Sequence, residues 1–426
     1  MRQGDTGAKV LFIRGLGVWL LATLFYFFDN LLNVVPAAIN GELQATFKLS
    51  PSELGLLASC YAWPYGFMQI PVGIMMDRVS PRKLLTFASI LCTIGCLLFA
   101  VADQYLIACL SRILIGFGAS FAVIGCSKIS TIWFPNKLFA LFMGLMVSVG
   151  MFGAAVGLSS VQAVTDILGW RKTMFIATTV SVLITFLIWW VIRDRQNVPA
   201  DSQSTSLPPA IWPSLLEIVR SPQSWIIAIY AGLMFVPTQA FGALWGVPFL
   251  REAFNFTQIE AGQLNALIFV GWIVGGPMYG WLSDYIGRRN IPMYIANIAS
   301  LIVIVWLIYG RYLPFTLVNF SFTSIAVAMF LIGFFSSGFV IAFVSIKELN
   351  RKSISGTLIG YINTINPLSV AVLQWLIGVI LGWLHTSSDA PSYVDFEKAL
   401  FAVPVCLIAS LVLLCFVKET YCKSVD

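Results

Sequence analysis

Twelve apolar runs follow one another along the chain, and each is long enough to form a membrane-spanning helix. About 20 apolar residues in helical form cross the hydrocarbon core of a bilayer. The runs lie near residues 14–36, 53–76, 82–102, 106–127, 137–160, 170–192, 223–248, 261–283, 290–310, 318–345, 355–382 and 398–417. The pattern predicts an all-α membrane protein with twelve transmembrane helices in two pseudo-symmetric six-helix bundles.

A polar stretch rich in Pro and Ser separates the sixth apolar run from the seventh. Such a composition is typical of a hydrated, flexible tether. The predicted domains are an N-terminal bundle at residues 1–192, a cytoplasmic linker at 193–222 and a C-terminal bundle at 223–426. Residues 215–219 are a candidate for a short surface helix within the linker.

Composition agrees with a surface that mostly faces lipid, because only 10% of the residues are charged, against about 25% in soluble domains. The net charge is +6, but the basic residues are distributed between the two sides of the membrane and form no patch that predicts nucleic-acid binding. With the N-terminus inside, 18 of the 25 basic residues lie on the inner side and six on the outer side, while Arg112 lies within a helix. This bias predicts that both termini and the linker are cytoplasmic.

The sequence contains no pattern that predicts an enzyme. Its single histidine, His385, falls in the last outer loop, and no metal-ligand, phosphate-loop or serine-nucleophile motif is present. We therefore expect no metal site and no cofactor.

One hairpin sequence occurs twice, about 207 residues apart. The first copy runs from Gly73 through Asp77, Arg78 and Arg82, and the second contains Gly280, Asp284 and Arg288. Each copy follows the second span of its half, and each places an acid and basic residues between two apolar runs. Such duplication is a feature of secondary transporters.

This repeated hairpin resembles the signature loop of the major facilitator superfamily. The resemblance implies that Asp77, Arg78, Arg82, Asp284 and Arg288 form a gate. In such a gate each acid would meet a helix N-terminus of the other half and hold the inner face shut. The alternative is that these residues are ordinary loop charges. The first copy has Ser80-Pro81 where the family usually has Gly, whereas the second retains Gly287.

A polar stripe follows the first span. Tyr26, Asp29, Asn30 and Asn33 have i, i+3, i+4, i+7 spacing, so they share one helix face. A charge near mid-membrane costs about 2.5–3.5 kcal/mol, so Asp29 should face a cavity or a partner. Arg112 in the fourth span lies at a similar depth and is the candidate partner.

Three interpretations of this pair remain open. Asp29 carries a proton, or Arg112 holds an anionic group of the substrate with Asp29 as its counter-ion, or the two form a permanent structural ion pair. Arg112 followed by Gly116 and Gly118 resembles the family's fourth-span motif, which implies proton coupling.

Amide and phenol side chains recur within other spans. They include Tyr61, Tyr65, Gln239, Asn363 and Asn366, and together they predict a polar lumen for a polar organic solute. Hydrogen bonding between helices explains any one of them equally well. Pro367 lacks a backbone donor and is expected to break or bend the eleventh span.

The run from Tyr61 through Trp63, Pro64 and Tyr65 resembles the bacterial organic-solute permeases, a group that includes phagosomal nutrient transporters. This resemblance implies uptake of an amino acid, nucleoside or organic anion by proton symport and alternating access. It also implies a monomer in the bacterial inner membrane. The alternatives are a solute or drug exporter and a non-transporting sensor on the same scaffold.

Overall fold

The computed structural model describes residues 2–135, 138–193, 211–312, 320–351, 355–384 and 391–423, and no strand occurs among them. The N-terminal half contains α1 (Arg2–Ala38), α2 (Asn40–Phe47), α3 (Pro51–Arg78), α4 (Pro81–Ala100), α5 (Tyr105–Trp133), α6 (Phe139–Leu168) and α7 (Trp170–Val191). The C-terminal half contains α9 (Pro222–Val236), α10 (Gly246–Phe254), α11 (Gln258–Ile286), α12 (Asn290–Tyr309), α13 (Phe322–Ser336), α14 (Ile341–Glu348), α15 (Ser355–Leu384), α16 (Tyr393–Leu400) and α17 (Ala402–Leu414).

Eleven of the predicted spans are helices long and apolar enough to cross a bilayer, within the described residues. The predicted second span, α3, has 28 residues but falls outside that set. It contains Tyr61, Trp63, Tyr65 and Gln69, and it packs mainly on α15 and α5. A helix that faces other helices needs less apolar surface than one that faces lipid, which accounts for the exception.

Two spans depart from regular α-helix. Span seven contains a π-helix at Pro237–Trp245 between α9 and α10, and span ten contains a 3-10 helix at Ser337–Val340. Span eleven, in contrast, continues as α-helix through Pro367, so the expected break is absent there. Pro237 opens the π-helix, because a proline cannot donate the backbone hydrogen bond of a regular turn.

The linker contains a helix, α8 (Ile211–Arg220), that is docked on the protein. Ile218 is buried, the Trp225 indole donates to the Val219 carbonyl at 2.8 Å, and Glu217 lies 3.6 Å from Arg351. The end of the linker is therefore held against the C-terminal half, whereas the tether interpretation of residues 194–210 falls outside the described residues.

The two ends of the bundle differ in how closely the halves approach. We call the end that carries Arg78 and Arg288 the basic face, and the other end the opposite face. At the opposite face a Cβ on Gly55 would lie 2.6 Å from the Gln374 carbonyl oxygen, and one on Gly378 would lie 2.5 Å from that of Pro51. Gly262 of α11 likewise meets the backbone of Leu158 in α6.

Glycines nearer the basic face on these helices have open surroundings. Gly73, Gly144 and Gly280 have no atom within 4 Å of an added Cβ. The recorded close backbone contacts between the halves therefore concentrate at the opposite face.

A matched pair of glycine variants on α11 tests this asymmetry. Gly262→Val should destabilise the protein by about 1–3 kcal/mol, because an overpacked contact forces the two backbones apart. Gly280→Val should change stability little, since its added methyl groups enter open space. Thermal unfolding in detergent measures both, and equal losses would contradict the arrangement.

Candidate functional site

The polar stripe of α1 lies against α3, where Asp29 meets Tyr61. Asp29 is 1% exposed, and the Tyr61 hydroxyl donates to its Oδ1 at 2.6 Å. The ring of Tyr61 stacks on that of Tyr65 with centroids 5.8 Å apart. Asn30 donates back to the Tyr26 carbonyl at 2.8 Å. The predicted stripe thus divides, because Asn30 bonds within its own helix while Asp29 bonds to another.

Arg112 of α5 binds the backbone of α1. Its Nη1 donates to the Leu32 carbonyl at 2.7 Å and its Nη2 to the Asn33 carbonyl at 3.2 Å. In a regular helix the amide of residue 36 would donate to the Leu32 carbonyl, but Pro36 has no N–H. The guanidinium therefore replaces the donor that the proline removes.

Asp29 and Arg112 form no ion pair within 4 Å in the described structure. Tyr61 connects them instead, because its hydroxyl binds Asp29 and its ring centroid lies 4.9 Å from the Arg112 Cζ. Both terminal nitrogens of Arg112 already have acceptors. The roles predicted for the pair stay predictions, but the direct contact of the structural-pair interpretation is absent here.

A second polar contact joins the two halves. Asn33 Nδ2 donates to Gln239 Oε1 at 3.0 Å, one helical turn along α1 from Asp29. Gln239 lies in the π-helix, and its own carbonyl accepts from Gln374 Nε2 at 2.9 Å. Asn33 and Gln239, predicted separately from the sequence, are thus brought together.

The two predicted asparagines of α15 do not join this cluster through any recorded contact of the described residues. Asn363 is half-buried, and Asn366 is 3% exposed with its Oδ1 unpaired. Their predicted role in binding stays a prediction.

The recorded contacts of three predicted gate residues, Arg82, Asp284 and Arg288, lie within their own halves. In the first hairpin Arg82 donates to the Trp189 carbonyl at 2.9 Å and lies 4.0 Å from the Trp189 ring. Arg78 is exposed, and the side chain of Asp77 lies outside the described part of the structure. The predicted cross-half contact of Asp77 is therefore not described.

In the second hairpin the central residue is Arg289, which sequence reasoning missed. It donates to Asp284 at 2.6 Å and to Glu348 at 2.7 Å, and its backbone amide binds Glu419 at 2.8 Å. The predicted Arg288 instead lies 5.6 Å from the Tyr421 ring. Two features of the sequence bear on this contact. Arg289 is the second basic residue of the pair, and Glu348 is an acid at the end of span ten.

Electrostatics stabilises the charge of Arg289. Burial lowers the pKa of this guanidinium, but the hydrogen bonds that it donates to Glu348 and Asp284 outweigh burial and leave the pKa raised. The hairpin, the end of α14 and the segment around Glu419 are therefore tied into one unit at the basic face.

A double-mutant cycle tests the link between Arg112 and Pro36. Arg112→Lys should cost about 1–3 kcal/mol, because lysine cannot serve two carbonyls with a fixed fork. Pro36→Ala restores an amide donor for the Leu32 carbonyl, so the double variant should lose less than Arg112→Lys alone. Stabilities from thermal unfolding give the coupling, and strictly additive losses would argue against the proline explanation.

The Arg289 network gives a second stability prediction. Arg289→Met should cost about 3–5 kcal/mol, because Glu348 would remain buried without its partner. Adding Glu348→Gln should recover part of this loss. Thermal unfolding of both variants measures it, with Arg171→Met as control because the Arg171–Asp103 pair is largely exposed.

Comparison with known proteins finds similarity along almost the whole chain. A family model described as Major Facilitator Superfamily matches residues 18–245 and again residues 237–424. The membrane sensor protein UhpC of Escherichia coli (strain K12) is 25% identical, with 87% of this chain and 86% of UhpC covered. The lysosomal dipeptide transporter MFSD1 of Danio rerio is 22% identical, and the match covers 93% of this chain and 84% of MFSD1. The solved structure of the nucleoside transporter NupG superposes with a TM-score of 0.73 at 13% identity, and the match covers 94% of this chain and 99% of NupG.

Proposed function

The chain belongs to the major facilitator superfamily, a family of integral membrane transporters rather than enzymes, and we propose that it takes up a small polar organic solute by proton symport. The solute class is that of amino acids, nucleosides or organic anions. The name of MFSD1 supports a polar organic substrate, since that relative is a dipeptide transporter.

The observation that carries the proposal is the environment of Asp29. This carboxyl group is 1% exposed within a span, it has a hydroxyl donor from Tyr61, and no basic side chain of the described residues pairs with it within 4 Å. An ionised carboxylate is costly in such a place, so a proton that neutralises it is favoured when the site closes. When the site opens to water, the charged form regains solvation and the proton can leave. Asp29 therefore has the setting of a proton carrier.

The asymmetric packing of the halves supports alternating access. Close contacts at the opposite face and open glycines toward the basic face fit a carrier that is shut on one side. The distribution of basic residues supports a cytoplasmic location for the basic face and both termini. In this proposal the opposite face of a monomer receives solute and a proton from outside the bacterial inner membrane, and the basic face releases them.

Asp29→Asn tests the coupling. In proteoliposomes with an acidic exterior, this variant should lose concentrative uptake while it retains exchange of preloaded solute, because amide and protonated acid are similar in shape and charge. Radiolabelled solute, identified from a panel by thermal shift, measures both modes.

Asp103→Asn is the matched control for that assay, because Asp103 lies in a loop at the opposite face with an 85% exposed side chain. It should accumulate solute like the parent protein. Concentrative uptake by Asp29→Asn would refute the proton role of Asp29, and wild-type accumulation driven by the reversed gradient would indicate export.

A sensor is the second candidate function, favoured by the similarity to UhpC, which is named a membrane sensor. A sensor binds its ligand without moving it across the membrane. Ligand binding by the purified protein without any flux in proteoliposomes, under either gradient, would favour this alternative.

A further inference from the structure

We propose that the paired amides of Asn33 and Gln239 form the substrate subsite, and that it recognises an uncharged group with a hydrogen-bond donor and acceptor side by side. A peptide amide and the edge of a nucleobase have this chemistry. The inference rests on the proposed transport function and names the class of solute.

Each amide uses only half of its hydrogen-bonding capacity in their mutual contact. Asn33 Nδ2 donates to Gln239 Oε1 at 3.0 Å. Asn33 Oδ1 and Gln239 Nε2 have no partner among the described residues, yet neither is a fully buried unpaired atom. The acceptor Asn33 Oδ1 and the donor Gln239 Nε2 therefore remain accessible. They lie next to Asn33 Nδ2 and Gln239 Oε1, the two atoms that form the hydrogen bond between the halves.

Both amides stand on backbone that other helices hold in place. Arg112 binds the carbonyls of Leu32 and Asn33, which fixes the backbone that carries the Asn33 side chain. Gln374 donates to the carbonyl of Gln239, which fixes the backbone that carries the Gln239 side chain. Polar groups that are held in position before the ligand arrives lose less entropy when they bind it.

The bridge crosses between halves that must separate in transport. When the opposite face opens, Asn33 and Gln239 part and each amide binds water instead. A solute that displaces this water must replace its hydrogen bonds, because unpaired polar groups in a partly buried site are costly. A group with adjacent donor and acceptor can bind both amides at once. The empty carrier can close again because the amides bind each other in place of the solute.

The charges nearby disfavour an anionic group at this subsite. Asp29 lies four residues from Asn33, on the same face of α1. Arg112 is 2% exposed, each of its terminal nitrogens donates to a carbonyl oxygen, and its unpaired Nε is buried, so the guanidinium offers little accessible surface to a carboxylate in this arrangement. An ammonium group elsewhere on the solute is compatible with Asp29.

Binding measurements on the full-length purified protein test the class. We expect glycylglycine, uridine or both to bind, as measured by tryptophan fluorescence or thermal shift, and succinate to bind more weakly than either. The two neutral probes distinguish a peptide amide from a nucleobase edge. Tighter binding of succinate, or no binding of either neutral probe, would overturn the class.

Isosteric variants test the residues. Gln239→Met and Asn33→Leu should each weaken binding of the neutral probe about two- to tenfold, the range for one lost hydrogen bond. Gln223→Met is the matched control, because Gln223 lies in the same span but binds the Phe416 carbonyl within its own half. Binding in Gln239→Met and Asn33→Leu equal to that of the control would refute the subsite.

Hydrogen exchange of the ligand-free protein provides a readout independent of ligand, proton coupling and transport direction. Loss of the bridge should raise exchange in peptides covering residues 37–50 and 371–384 about two- to tenfold, because the opposite face then opens more often. Gln223→Met should leave that exchange unchanged. Unchanged exchange in Gln239→Met and Asn33→Leu would refute the bridge, even if uptake proved not to be coupled to protons.

Discussion

A helix carbonyl that lacks its backbone donor cannot turn to water inside a bilayer, and this constraint organises the centre of the protein. Pro36 leaves the Leu32 carbonyl without a partner, and Arg112 supplies one from α5. In the π-helix of span seven, the carbonyl of Gln239 is bound by Gln374 of α15. Arg112 thus completes the backbone hydrogen bonding of span one and Gln374 adds a side-chain donor to span seven, so neither span can shift without affecting its neighbours.

The two halves repeat a topology but divide the chemistry. The buried acid and its tyrosine, Asp29 and Tyr61, belong to the N-terminal half, whereas Gln239 in the C-terminal half offers an uncharged amide. The hairpins differ in the same way. Arg82 binds a tryptophan carbonyl and ring, while Arg289 is enclosed by carboxylates. A duplicated scaffold therefore leaves each half free to carry different side chains at the candidate site.

The sequence was sufficient to predict the spans, because a run of about 20 apolar residues matches the thickness of a bilayer core when it forms a helix. Periodicity also placed Asp29 and Asn33 on one face of α1. It could not identify their partners, because a helical face does not specify which neighbouring helix it meets. The contact of Arg112 with the Leu32 carbonyl could have been anticipated, since Pro36 marks a carbonyl four residues earlier that needs a donor. The basic pair of the second hairpin did not by itself indicate that Arg289, rather than Arg288, meets the acid that ends span ten, because that contact joins two separate helices.

The kinds of contact at the two ends of the bundle bear on the energetics of switching. At the opposite face the halves meet through glycine-mediated backbone contacts and neutral amides, as between Gln258 and the Ala38 carbonyl. A neutral hydrogen bond that breaks into water costs little, because each group regains a water partner. At the basic face the side chain of Asp284 is 72% exposed, so its charge is already solvated. Neither kind of contact favours one state by many kcal/mol, so in the mechanism that we propose the binding of solute and a proton selects between the states.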